Sequence, residues 1–175
     1  MKPKAVESEI ATFLSRYTPE IEAQLREARQ RLRAAFPRGF ELVFDNYNAL
    51  VFAISATERA ADAFISVAGY PRWVTLFFGD GAALRDPHGV LEGKGRRIRS
   101  IRLKAASDLG APKVRALIAQ AIRLRRAALA AAPVLSTVVK SVVQRQRSRR
   151  PTAGKSGLAG SHRPAGKRKA ARASP

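Results

Sequence analysis

The residues with the most chemical potential cluster in one loop. The stretch Gly79 to Gly95 holds five of the chain's twelve glycines, and Lys94, Arg96, Arg97 and Arg99 lie at its end. Glycines let backbone N–H groups approach an anion, and nearby cations complete the site, so these four side chains form a candidate anion-binding group. The same residues also suit plain turn-building, with Asp86-Pro87 and the glycines making tight turns. No phosphate fingerprint decides for the first reading: neither G-x-G-x-x-G nor G-x-x-x-x-G-K-[ST] occurs, and Gly154-Lys155-Ser156 lacks the first Walker glycine because position 149 is Arg. In the same loop His88 could act as an acid or base with Asp80 or Asp86. A lone histidine cannot build a His-based metal cluster, and no serine/histidine/aspartate or H-E-x-x-H arrangement can be assembled. The expectation is a protein with no catalytic residue and no cofactor.

The second group is basic. The chain carries 33 Lys and Arg against 13 Asp and Glu, a formal charge of +20. All thirteen acids fall before residue 109, whereas residues 134–175 hold eleven cations and no acid. Arg145, Arg147, Arg149, Arg150, Lys155, Arg163, Lys167, Arg168, Lys169 and Arg172 are therefore candidate nucleic-acid-binding residues, acting by neutralising phosphates without reading bases. The alternative role for such a tail is to solubilise. From Ser148 onward the chain has no aromatic and is rich in Gly, Pro and Ser. Such a composition buries too little apolar surface to offset ordering entropy, so 148–175 is expected to be disordered.

Composition excludes other classes. There is no cysteine, hence no thiol catalysis, disulfide framework or Cys-based zinc site. No apolar run approaches the roughly 20 residues of a membrane span, and the N-terminal MKPKAVESEI has acids where a signal peptide is apolar. A cytoplasmic location is expected.

The elements that must position these groups follow from periodicity. Val6, Ile10, Phe13, Leu14 and Tyr17 form a helical stripe, interrupted at Thr18-Pro19. Those two residues restart a helix as N-cap and first-turn proline, and Ile21, Leu25, Ala28, Leu32 and Ala35 continue the stripe to Pro37 and Gly39. On its other face Glu22 and Arg26, and Glu27 and Arg31, pair at i, i+4. The period then changes to two. Phe40, Leu42 and Phe44 alternate with Glu41 and Val43, a turn follows at Asp45 to Asn48, and Leu50, Phe52 and Ile54 alternate with smaller residues. The large residues are expected on the face under the helices, the other face being thinly covered. Residues 62–68 and 73–78 read as the next strands, and Arg97 to Lys104 as a basic fifth strand near an edge. A last core helix starts at Pro112, with Arg125 at its fraying end. Residues 133–147 read as an amphipathic helix, with Val134, Leu135, Val138, Val139, Val142 and Val143 on one arc, able to dock on the body, meet a partner or lie on an anionic membrane. The whole is an α+β domain over 1–132, helices on one face of a mainly antiparallel sheet of about five strands, followed by that helix and the tail.

The stretch from Trp73 to Ala121 resembles the YdhG-like family of small bacterial domains. Its aromatic strand end is Leu76 to Phe78, its D-P-x-G-x-L-x-G loop is Asp86, Pro87, Gly89, Leu91 and Gly93, and its basic strand is Arg97 to Leu103. The resemblance extends over about residues 5–130. It implies this fold and, by the family's one functional label, a frataxin-like iron chaperone working through acidic surfaces. In this chain the carboxylates, among them Glu22 and Glu27, mostly face arginines and the net charge is strongly positive, so iron is not expected as a partner and no iron ligand carries over.

Overall fold

The computed structural model describes residues 3–151. Two helices open it, α1 (Pro3–Leu14) and α2 (Pro19–Ala34). Thr18 has the extended backbone of an N-cap, its Oγ1 accepts from the Ile21 N–H, and Pro19 supplies the first-turn φ. The Glu22–Arg26 and Glu27–Arg31 pairs both close at 2.7 Å on the solvent side of α2. Strands β1 (Phe40–Asp45), β2 (Leu50–Ser55), β3 (Ala63–Tyr70), β4 (Trp73–Phe78) and β5 (Arg99–Leu103) then run as an antiparallel meander, with the basic β5 at an edge. Helices α3 (Pro112–Leu124) and α4 (Arg126–Ala131) return the chain to the opposite edge.

There the sequence expectation fails. Residues 133–147 are not a helix: Ser136–Val142 form a sixth strand, β6, paired in parallel with β1, so the sheet order is β5-β4-β3-β2-β1-β6. The physical reason lies in the residue types. Thr137, Val138, Val139, Val142 and Val143 are β-branched, they lose rotamer freedom in a helix and they suit a pleated edge. A parallel return also requires a long crossover, which α3 and α4 supply.

The helices cover one sheet face. Leu14, Leu25, Leu32, Val114, Leu117 and Ile118 pack with Val43, Leu50, Phe52, Ile54, Val67, Val74, Leu76 and Phe78 in one buried cluster. Gly69 is required for that approach, because a Cβ there would lie 2.3 Å from Leu25 Cδ2. In β1 the expected phase is inverted: Glu41, Val43 and Asp45 face the helices, while Phe40, Leu42 and Phe44 take the other face. Arginines explain the inversion. Arg29 of α2 donates two hydrogen bonds to Glu41, at 2.9 and 2.7 Å, and two to Glu7 of α1, while Arg33 and Thr137 also reach Glu41. Burial opposes the charge on Arg29, but its bonds to Glu7 and Glu41 outweigh that and raise its pKa above the ordinary value. A carboxylate so satisfied is tolerated under a helix layer.

Candidate polyanion-binding surface

The residues after β6 do not leave the body at Ser148. The Val143 N–H bonds the Asp45 carbonyl at 2.9 Å, the Arg147 N–H bonds the Tyr47 carbonyl at 3.0 Å, and Arg149 turns inward to burial. Its guanidinium donates to Asp45 Oδ1 at 2.8 Å, to the Asn46 carbonyl and to the Tyr17 hydroxyl, and lies 5.3 Å from the Tyr17 ring centroid. Tyr17 in turn donates to the Gly69 carbonyl at 2.7 Å and accepts from the Leu50 N–H at 3.0 Å. Burial pushes the Tyr17 hydroxyl above its ordinary pKa, against the opposing pull of Arg149. Asp45 also receives Arg16 at 2.7 Å and Gln146. The expected disordered segment is thus corrected at its start: Ser148 to Pro151 lie on the fold, where buried Arg149 meets the carboxylate at the end of β1 and Arg150 donates to the Ser15 carbonyl at 3.4 Å. Lys155, Arg163, Lys167, Arg168, Lys169 and Arg172 lie outside the described residues.

Pinning Arg149 aims its neighbours. Arg147 and Arg150 are exposed and, with Ser148 and Pro151, line a cleft of about 340 Å³ whose other wall is Pro71, Arg72 and Trp73 at the β3–β4 turn. Among the described residues none of Arg72, Arg147 and Arg150 has a carboxylate partner. Arg145 is exposed on the same segment. Nothing in the sequence pointed to Arg72. It is 75 residues from Arg147 and becomes its neighbour only because β4 begins where β1 ends, at one end of the sheet.

The glycine loop lies at the opposite end, after Phe78. Its four candidates do not converge. Arg97 bonds Asp80 at 2.6 Å, Arg99 donates to the Gly95 and Ile98 carbonyls at 2.6 and 2.8 Å, and Lys94 and Arg96 are exposed. Arg125 also bonds Asp80, so the residue read as a fraying helix end is an ion-pair partner that ties α3 to the loop. The Arg97 hydrogen bond leads the causes that hold the Asp80 carboxyl below its ordinary range, and Arg125 adds to it against burial. Asp86 accepts the Leu91 N–H at 2.7 Å. Burial disfavours its charge, yet the Leu91, Val90 and His88 backbone donors together outweigh that and keep its pKa low. These contacts describe a braced turn, with His88 exposed on it. Among the described residues no three His, Asp or Glu side chains converge as metal ligands, and no helix is long and apolar enough to cross a membrane.

Of the 33 cations, 26 lie within residues 3–151 together with all 13 acids. Seven of those carboxylates are in ion pairs, and Asp86 and Asp108 are engaged by backbone N–H groups. Most of the negative charge is consumed within the fold, and the positive excess faces water. A scan against protein-family models, a search of curated proteins and a search of solved structures each find no match to this chain.

Proposed function

We propose that this is a non-enzymatic domain that binds nucleic acid through phosphate neutralisation, with little sequence preference. The observation that carries this reading is the cleft in which Arg72, Arg147 and Arg150 meet without a carboxylate among the described residues. Three exposed arginines lining one cleft concentrate positive charge there, and a row of phosphates neutralises it while releasing condensed counterions. The six further cations after Pro151 extend the same charge along the chain. Likeness to the YdhG-like domains in the loop and closing helix belongs to this reading as a proposal about ancestry, and iron has no place in it. A cytoplasmic location fits it.

The test is a salt series of binding titrations with duplex DNA, comparing the full chain with a chain ending at Pro151. Each neutralised phosphate contributes about 0.9 to the slope of log affinity against log salt. If half the tail cations engage, the slope is steeper by about 3 in the full chain. Absence of binding by both chains at low salt would overturn the proposal.

A further inference from the structure

The face of the sheet turned away from the helices carries a second pattern. Phe40, Leu42 and Phe44 of β1, Val51 and Ala53 of β2, Ala68 and Tyr70 of β3, and Trp73, Thr75 and Phe77 of β4 share it by register. None belongs to the core cluster that the helices build on the other side. Leu42, Ala53, Ala68 and Thr75 are buried and Val51 is half-buried, while Phe40, Phe44, Tyr70, Trp73 and Phe77 stay partly open to solvent. At the end next to the arginine cleft three of its groups are already layered: Tyr70 stacks on Trp73 with centroids 5.4 Å apart and planes 28° apart, and the Arg102 guanidinium lies 4.3 Å from the Trp73 ring centroid. Arg102 is exposed, so the layer ends in a cationic plane. Strands β1 to β6 contribute no carboxylate to this face. Glu92, bridged to Ser100, lies in register with Phe77, away from Trp73.

We infer that this layer and the adjoining cleft form a site for single-stranded nucleic acid, with bases stacking on the outer planes of the layer that Tyr70, Trp73 and Arg102 build and phosphates held by Arg72, Arg147 and Arg150. The inference rests on the phosphate-binding reading and adds to it the form of the ligand. Trp73 belongs to both surfaces, since it lines the cleft and stands in the layer. A sheet face with open aromatic rings beside a cationic groove offers what an unpaired strand needs: π-faces for bases that a duplex hides, and cations along the backbone. Charge complementarity names the occupant. An apolar protein partner would have to bury Arg102 and leave the cleft arginines unpaired, which is costly.

Trp73 is the chain's one tryptophan, so its fluorescence reports the site directly. The full chain is titrated with a thymidine oligonucleotide of roughly 20 nucleotides, with a duplex of equal length and with polyphosphate, a polyanion that has no bases. The oligonucleotide should quench Trp73 and polyphosphate should bind without comparable quenching. Trp73→Leu, which lacks the fluorophore and is followed by the anisotropy of a labelled oligonucleotide, should weaken the single strand roughly fivefold to a hundredfold, from the usual worth of one stacked base. Trp73→Phe should recover most of that loss, and Arg102→Gln, at an exposed position, gives an independent reading if the leucine variant unfolds. Binding of all three polymers without quenching, and unchanged in the variants, would overturn this inference and leave phosphate binding standing. Failure of all three to bind would overturn both.

Discussion

Arg149 Nη2 lies 2.8 Å from Asp45 Oδ1, and both side chains are about 2% exposed or less, although 104 residues separate them. This pair fastens the chain after β6 to the end of β1. It is what converts a run of arginines into a surface with fixed geometry.

The two partners are not equivalent. Asp45 retains Arg16 and Gln146 when Arg149 is lost, whereas Arg149 loses its one carboxylate when Asp45 is removed. Asp45→Ala should therefore cost about 3–5 kcal/mol and Arg149→Ala about 2 kcal/mol, both read by urea unfolding. Equal, near-zero effects would show that the pair is not closed in solution.

Truncation sharpens the same point. A chain ending at Pro151 keeps every contact described above, and its unfolding midpoint should match the full chain. A chain ending at Arg147 loses Arg149 and should be less stable by about 2 kcal/mol. If both truncations unfold alike, Arg149 contributes nothing.

The brace at Asp80 predicts a pH dependence with a definite sign. Its folded pKa lies below the ordinary value of 3.8, so its contribution is present above that value and disappears as the pH falls through the lower folded one. Asp80→Asn should therefore lower stability near neutrality and narrow the gap from the native chain as the pH drops below about 4. A gap that stays constant with pH would contradict the ion pairs with Arg97 and Arg125.

Much of this fold was legible in the sequence, and what was missed has a common cause. The Thr18-Pro19 restart, the β1–β2 hairpin, the span of β4, the edge position of β5 and the start of α3 follow from capping, turn chemistry and periodicity, which act over a few residues. The phase of β1 was misread because Glu41 and Asp45 look like solvent-facing residues until Arg29, Arg33 and Arg149 are brought to them. The valines of β6 fit a helical arc and a strand equally by position, and their β-branching was the deciding signal. In the candidate site, Arg147 and Arg150 were visible as charge. Arg72 and Trp73 were not, since only the sheet register places them opposite.

Gly69→Ala should destabilise the domain by about 1–3 kcal/mol, because the new methyl meets the buried Leu25 side chain. Denaturant unfolding checks it, and a neutral outcome would mean that α2 can shift away from β3.

Calorimetric titration with Fe(II) should show no micromolar binding. Glu22 and Glu27 are paired with arginines, seven of the thirteen carboxylates are in ion pairs, and the chain's charge repels cations. A micromolar isotherm abolished by substituting Glu20, Glu22 or Glu27 would restore an iron-handling role.

The most direct measurement concerns the cleft itself: the salt dependence of single-stranded DNA affinity for the native chain and for a variant with Arg72, Arg147 and Arg150 changed to Gln. Each phosphate contact on a single strand contributes about 0.7 to the slope, so losing three should flatten it by about 2 and weaken binding most at low salt. An unchanged slope with unchanged affinity would contradict the assignment of phosphate binding to this end of the sheet.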